Sequence, residues 1–283
     1  MAGELRRNSL RTANADQPSS CPAVLYVRWN KIRSSRIGCP PMSELQHHPS
    51  VVGSPRPPRT WDFMETLLVG LIAYAVHTLT LKLALNTMWD LRHVVERFSL
   101  AQVRVGFAVV LACPATVAVF WIATRVANRK FTDYLALNWP KTSEFVLALV
   151  LTSILLLVQY FAWPILSRWD LSADHSFAGS PDGLLIYLLG GCIAAPISEE
   201  LAFRGFMFRG WSQSFLYPPG AIVLTAAAWA MLHNQYNWLG QFSVFAGGLL
   251  LGYIRWRSNS TWLTVMVHSG VNILIFSTSG TYV

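Results

Sequence analysis

The sequence predicts an all-α fold, a polytopic transmembrane helical bundle of about seven spans (six to eight). Three observations carry that prediction. Only 13% of the 283 side chains are charged, where a soluble domain carries about 25%. Hydrophobic residues make up 53% and the mean hydropathy is +0.38, which excludes disorder, a fibrous repeat and an ordinary cytosolic globule. Beyond residue 62, seven apolar stretches approach the ~20 residues that a spanning helix needs.

The first 60 residues stand apart from those stretches. They are rich in Arg, Ser and Pro without apolar periodicity, and they read as a disordered basic tail. Nine basic side chains (Arg6, Arg7, Arg11, Arg28, Lys31, Arg33, Arg36, Arg56, Arg59) face three acids there (Glu4, Asp16, Glu44). Most of the formal net charge of +8 therefore sits in a tail and not in a folded groove, and no nucleic-acid partner is expected. A targeting segment is a second reading, although no apolar core marks a secretory signal. A third starts translation at Met42 and treats 1–41 as a mis-called extension; an intact mass that includes 1–41 excludes it.

The apolar stretches lie near 64–87, 104–126, 143–163, 183–211, 219–236, 239–256 and 260–279. Trp61, Trp89, Trp139, Trp163, Trp211, Trp238, Trp256 and Trp262 fall at their ends, where amphipathic rings sit in a bilayer interface. A cytoplasmic N-terminus puts nine loop cations inside (Arg56, Arg59, Arg125, Arg129, Lys130, Lys141, Arg209, Arg255, Arg257). Four fall outside (Arg92, Arg97, Arg104, Arg168), so the positive-inside rule favours N-in, C-out. The absence of a signal peptide fits a bacterial inner membrane. The fourth stretch is expected to form one long helix over 183–211, about 43 Å at 1.5 Å per residue, because only then does Glu199 lie near mid-membrane. Gly248 and Gly252 form a GxxxG in the sixth stretch, read as tight helix packing. No internal repeat suggests an inverted-repeat transporter. Cys21, Cys39, Cys113 and Cys192 have no CxxC spacing, so neither a disulfide framework nor a zinc ribbon is expected.

Ionisable groups at membrane depth cost roughly 2.5–3.5 kcal/mol each and call for a partner or a task. Between 183 and 254 the acids, bases and histidines are Glu199, Glu200, Arg204, Arg209 and His233; His268 and Asn272 follow in the last stretch. Glu200 and Arg204 are four apart and meet on one helix face. Glu199 is turned about one hundred degrees away and lacks that partner, which leaves it suited to general-base work or to a hydrogen bond with a neighbouring helix. His268 and Asn272 point the same way, and Trp229 lies one turn before His233 on one face. Two histidines, an unpaired glutamate and an asparagine on three membrane helices point to a hydrolytic or metal site. His47, His48, His77, His93 and His175 are assigned no role.

Glu199-Glu200-Leu201-Ala202-Phe203-Arg204-Gly205 matches an EExxxRG motif. Trp229-Ala230-Met231-Leu232-His233 is similar to FxxxH with Trp in place of Phe, and His268-Ser269-Gly270-Val271-Asn272 matches HxxxN. In this order the motifs resemble those of the CPBP family of intramembrane proteases (CAAX proteases and bacteriocin-processing enzymes, also called Abi), over about residues 140–280. The resemblance implies N-terminal transmembrane helices over 61–139 and a catalytic transmembrane domain over 140–283. It implies hydrolysis of a peptide bond in a membrane-embedded or lipid-anchored substrate, of which prenylated CAAX peptides are the best-known class. Glu199 then activates water with His233, His268 and Asn272 stabilise the oxyanion, and Glu200 and Arg204 support them. A zinc alternative uses Glu199, His233 and His268 as a two-His, one-carboxylate set with an open position for water; spacing leaves metal and metal-free routes open. The Trp229 departure is expected to reshape the substrate cleft more than the chemistry. Two other classes compete: a transporter or proton-relay protein, disfavoured by the lack of a repeat, and a catalytically silent immunity or scaffold protein, disfavoured by the complete Glu/His/His/Asn set. The oligomeric state is not legible.

Overall fold

The structure, a computed structural model, describes residues 60–91, 101–166 and 181–278. Residues 1–59 of the expected 1–60 tail and the loop cations Arg92, Arg97 and Arg168 lie outside the described residues. Every apolar stretch forms a helix: α1 (Phe63–Leu91), α2 (Ala101–Val126), the short α3 (Phe131–Tyr134), α4 (Thr142–Leu166), α5 (181–212), α6 (Tyr217–Leu232), α7 (Trp238–Ser258) and α8 (Thr261–Thr278). Among the described residues there is no strand. The protein is a helical membrane bundle.

Local chemistry explains the helix ends. Glu65 N–H donates to Asp62 Oδ1 at 2.8 Å and Asp62 N–H donates to Glu65 Oε2 at 3.1 Å, a reciprocal box that satisfies two otherwise orphaned donors at the start of α1. Helix α2 ends where Asn128 turns left-handed (φ 54°) and Arg129 N–H reaches back to Thr124 O, a Schellman-type stop. Pro218 and Pro219 open α6, where a missing N–H costs nothing. Asn237 caps α7 through Gly240 N–H, and Asn259 ends it at φ 49°.

Among the described residues four helices are long and apolar enough to cross a membrane: Phe63–Leu91, Ala101–Val126, Thr142–Phe161 and Gly183–Ser212. Helices α6 and α8 are shorter apolar helices, and α7 does not meet the same criterion. The sequence expectation of about seven spans counted every apolar stretch as a crossing. The 16 residues of α6 rise only about 24 Å at 1.5 Å each, short of a ~30 Å hydrocarbon core.

Helix α5 is the central post. On one side α1 and α2 form an antiparallel pair: Val69 and Ala73 meet Phe120 and Ala123 in one cluster, His77 meets Thr116, and Ala84 and Met88 meet Ala108. This pair packs on α5 at backbone distance, because a Cβ on Gly190 would come within 2.5 Å of Gly106 O. On the other side α6 and α7 also pair antiparallel. A Cβ on Gly248 would meet Ala226 Cβ at 2.9 Å, and one on Gly252 would meet Ile222 Cγ2 at 2.9 Å. The GxxxG therefore serves the close approach that the sequence suggested.

The start of α8 is tied to the segment after α3. Thr261 N–H donates to Ala136 O at 2.9 Å, Thr261 Oγ1 to Leu135 O at 2.5 Å, and Ser260 Oγ to Asn138 O at 2.5 Å. These bonds set the depth of α8, and with it the depth of His268.

Candidate active site

Helix α5 runs unbroken through the Glu-Glu motif, as the sequence required, but it is not a uniform α-helix. Leu189–Ala194 and Leu201–Met207 are π-helical and flank the α-helical turn Ala195–Glu200. Each π turn moves a donor one residue along and releases a carbonyl. At the first, Ala195 N–H bonds Gly190 O, and Pro196, next in line for Gly191 O, has no N–H. The Asn272 amide of α8 takes up Gly191 O at 2.9 Å. At the second, Phe208 N–H bonds Phe203 O, and Arg255 Nε from α7 takes up Arg204 O at 2.9 Å. Neighbouring helices thus satisfy the released groups, which is the condition for irregular backbone at membrane depth. Nothing in a 3.6-residue pattern signals either π turn.

The buried charge is a relay of three side chains. Glu200 and Arg204 have no exposure, and Arg204 Nη1 donates to Glu200 Oε1 at 2.9 Å. The i,i+4 pairing follows the sequence reading. Beyond it, His268 Nδ1 lies 3.0 Å from the same Oε1, Thr264 stands beside the carboxylate, and Arg204 Nη2 donates to Gly248 O at 3.2 Å. Glu200 therefore connects α5 to α8, and Arg204 connects α5 to α7.

Glu199 is half-buried on the adjacent face. The sequence reading left it free of Arg204 and open to a hydrogen bond with a neighbouring helix, and such a bond is present: Trp229 Nε1–H donates to Glu199 Oε2 at 2.6 Å. The contact joins residues 30 apart on different helices, so no local pattern reveals it. His233 stands just past the end of α6 with Nδ1 2.8 Å from Trp229 O. A carbonyl oxygen only accepts, so Nδ1 is the donor of this bond. The Trp229 ring centroid is 5.1 Å from that of His233 and 5.2 Å from that of His268, edge-on to both. Glu199, His233 and His268 thus border one indole, and Asn272 lies one helical turn beyond His268.

Two residues given no role in the sequence reading also border the cluster. His77 of α1 lies within electrostatic reach of Glu199 while its Nδ1 meets Thr116 Oγ1 at 2.9 Å. Tyr236, in the loop after α6, stacks on His233 at 6.0 Å. Burial pushes its phenol above the ordinary value, partly offset by a bond with Gln235, so it stays a neutral hydroxyl. A ring stacked on His233 from the following loop has no sequence signature.

Among the described residues no three His, Cys, Asp or Glu side chains are grouped to hold a metal ion. Glu199 Oε2 is taken by the indole and His268 Nδ1 faces Glu200. As arranged, the trio offered as a zinc set does not form one ligand group.

Residues 181–274 match the family model of the Rce1-like type II CAAX prenyl endopeptidases. The matched segment contains Glu199, Glu200, Arg204, Trp229, His233, His268 and Asn272, and the match accords with a CPBP-family intramembrane protease. It supports a membrane hydrolase of the protease class, working in a bilayer on a membrane-embedded substrate. No curated protein and no solved structure matches the chain.

Proposed function

We propose that this protein is an intramembrane endopeptidase that hydrolyses a peptide bond in a membrane-anchored protein or peptide, with prenylated CAAX-type sequences as the leading substrate class. The observation that carries the proposal is the gathering of Glu199, His233 and His268 around one buried ring, on the segment that matches the Rce1-like model, beside a buried ion pair.

In this reading Glu199 Oε1 and the lone pair on His233 Nε2 orient a water molecule. Its oxygen adds to the scissile carbonyl carbon while Glu199 takes a proton. His268, its Nδ1 held by Glu200, donates from Nε2 to the developing oxyanion together with the Asn272 amide. A dry site strengthens both donors. The C–N bond then breaks, and the proton passes from Glu199 to the leaving nitrogen. Glu200 and Arg204 keep the donors in place. The step needs no group beyond these side chains and water.

The test is cleavage of a lipid-anchored CAAX-terminated peptide by purified protein in liposomes. Glu199→Gln and His233→Ala are expected to lower the rate at least ~100-fold, as loss of a general base does. Equal cleavage by all three proteins overturns the proposal. Activity is expected to survive a strong chelator, with no stoichiometric metal by elemental analysis; loss on chelation with recovery on zinc replaces this route by a metal one.

A further inference from the structure

Trp229 touches more of the site than any catalytic candidate does. Its indole N–H bonds Glu199 at 2.6 Å, and its carbonyl accepts from His233 at 2.8 Å. Its ring meets the edges of both histidines, and the Arg204 guanidinium lies over its face at 4.5 Å. Only 6% of it is exposed. Gly248 makes room for it: a Cβ there would stand 3.2 Å from Trp229 Cε3. The ring is fixed in turn, because Arg204 is held by Glu200 and by Gly248 O.

We infer that Trp229 is a positioning residue that holds the Glu199 carboxylate by one oxygen and presents the other to water. The inference rests on the reading of Glu199 as the base. A glutamate side chain has three rotatable bonds and loses their freedom on ordering. An N–H donated by an immobile ring removes that freedom before substrate arrives. Phenylalanine, the residue of the FxxxH pattern, has no such donor. The contact is therefore a property of this chain and lies outside the motif. It also revises the expectation that Trp229 changes the cleft more than the chemistry.

The experiment compares wild type, Trp229→Phe, and a variant with benzothienylalanine at position 229, which keeps the bicyclic shape and replaces N–H by sulfur. Kinetics use a farnesylated, fluorogenic CAAX-terminated peptide in proteoliposomes. Both variants are expected to lose about 10- to 100-fold in kcat, the value of a hydrogen bond to a charged group, with KM within about twofold. In parallel, the Trp229 indole N–H resonance, assigned by its absence in Trp229→Phe, is expected to lie far downfield and to move upfield in Glu199→Gln. A kcat within twofold of wild type for the benzothienyl variant overturns the inference. So does a rise in KM alone, or an indole resonance indifferent to Glu199→Gln. An inactive Glu199→Gln beside a fully active Trp229→Phe sinks the inference and spares the proposed function, whereas a fully active Glu199→Gln removes both.

Discussion

Helices α4 and α5 look alike to a hydropathy count and do opposite work. The apolar core of α4 has a mean hydropathy of 2.1 with 11% of its residues buried, and that of α5 has 1.5 with 39% buried. Helix α4 shows lipid a row of large side chains, among them Leu149, Ile154, Leu157 and Phe161. Helix α5 turns its polar residues inward and binds each to a different neighbour: Glu199 to α6, Glu200 to α8, Arg204 to α7. In a bilayer apolar surface needs no protein partner, because lipid is as apolar as leucine. Polar side chains do need one, and they decide which helix stands at the centre.

Substitutions along the two helices break or sharpen that contrast. The largest effect is expected at Arg204→Ala, which strips one partner from a buried ion pair and releases Gly248 O; about 3–5 kcal/mol of stability is lost. Unfolding in detergent, followed by tryptophan fluorescence, measures it, and a loss below 1 kcal/mol contradicts the picture of α5 as the post. Asn272→Ala comes next. It leaves Gly191 O at the first π turn unsatisfied and is expected to cost about 1–3 kcal/mol in the same assay, together with a fall in peptide cleavage. If the π turn instead reverts to regular helix without loss, the amide is not what holds it. The smallest effect belongs to α4: Leu157→Ala, on a lipid-facing side chain, is expected to change stability by no more than about 0.5 kcal/mol and to leave cleavage unchanged. A large loss there makes α4 part of the packed core.

How much of this was legible depends on the distance along the chain over which each feature is set. The Glu200–Arg204 bond is four residues long, and helix geometry alone predicts it. The three motifs carry Glu199, His233, His268 and Asn272 in plain view. The partners of those residues were not legible, since each is borrowed from another helix: Trp229 for Glu199, Glu200 for His268, Gly191 O for Asn272. The sequence reading placed His268 beside Asn272 on the oxyanion side and did not foresee its second tie to Glu200. Both π turns were also missed. Pro196 and the paired Gly190 and Gly191 are compatible with one, but periodicity does not register a single extra residue per turn.

The sequence by itself determined the helices, their caps, the single long α5 and the residues that bring chemistry into the bundle, because length, hydropathy and i,i+4 spacing act within one segment. Only the tertiary structure decided which apolar helices pack inward, where α5 departs from α-geometry and what each polar group binds. Those outcomes follow from helices meeting across 30 to 81 residues of sequence. At membrane depth a polar atom takes whichever partner packing brings within reach, and the identity of that partner is written in no local pattern.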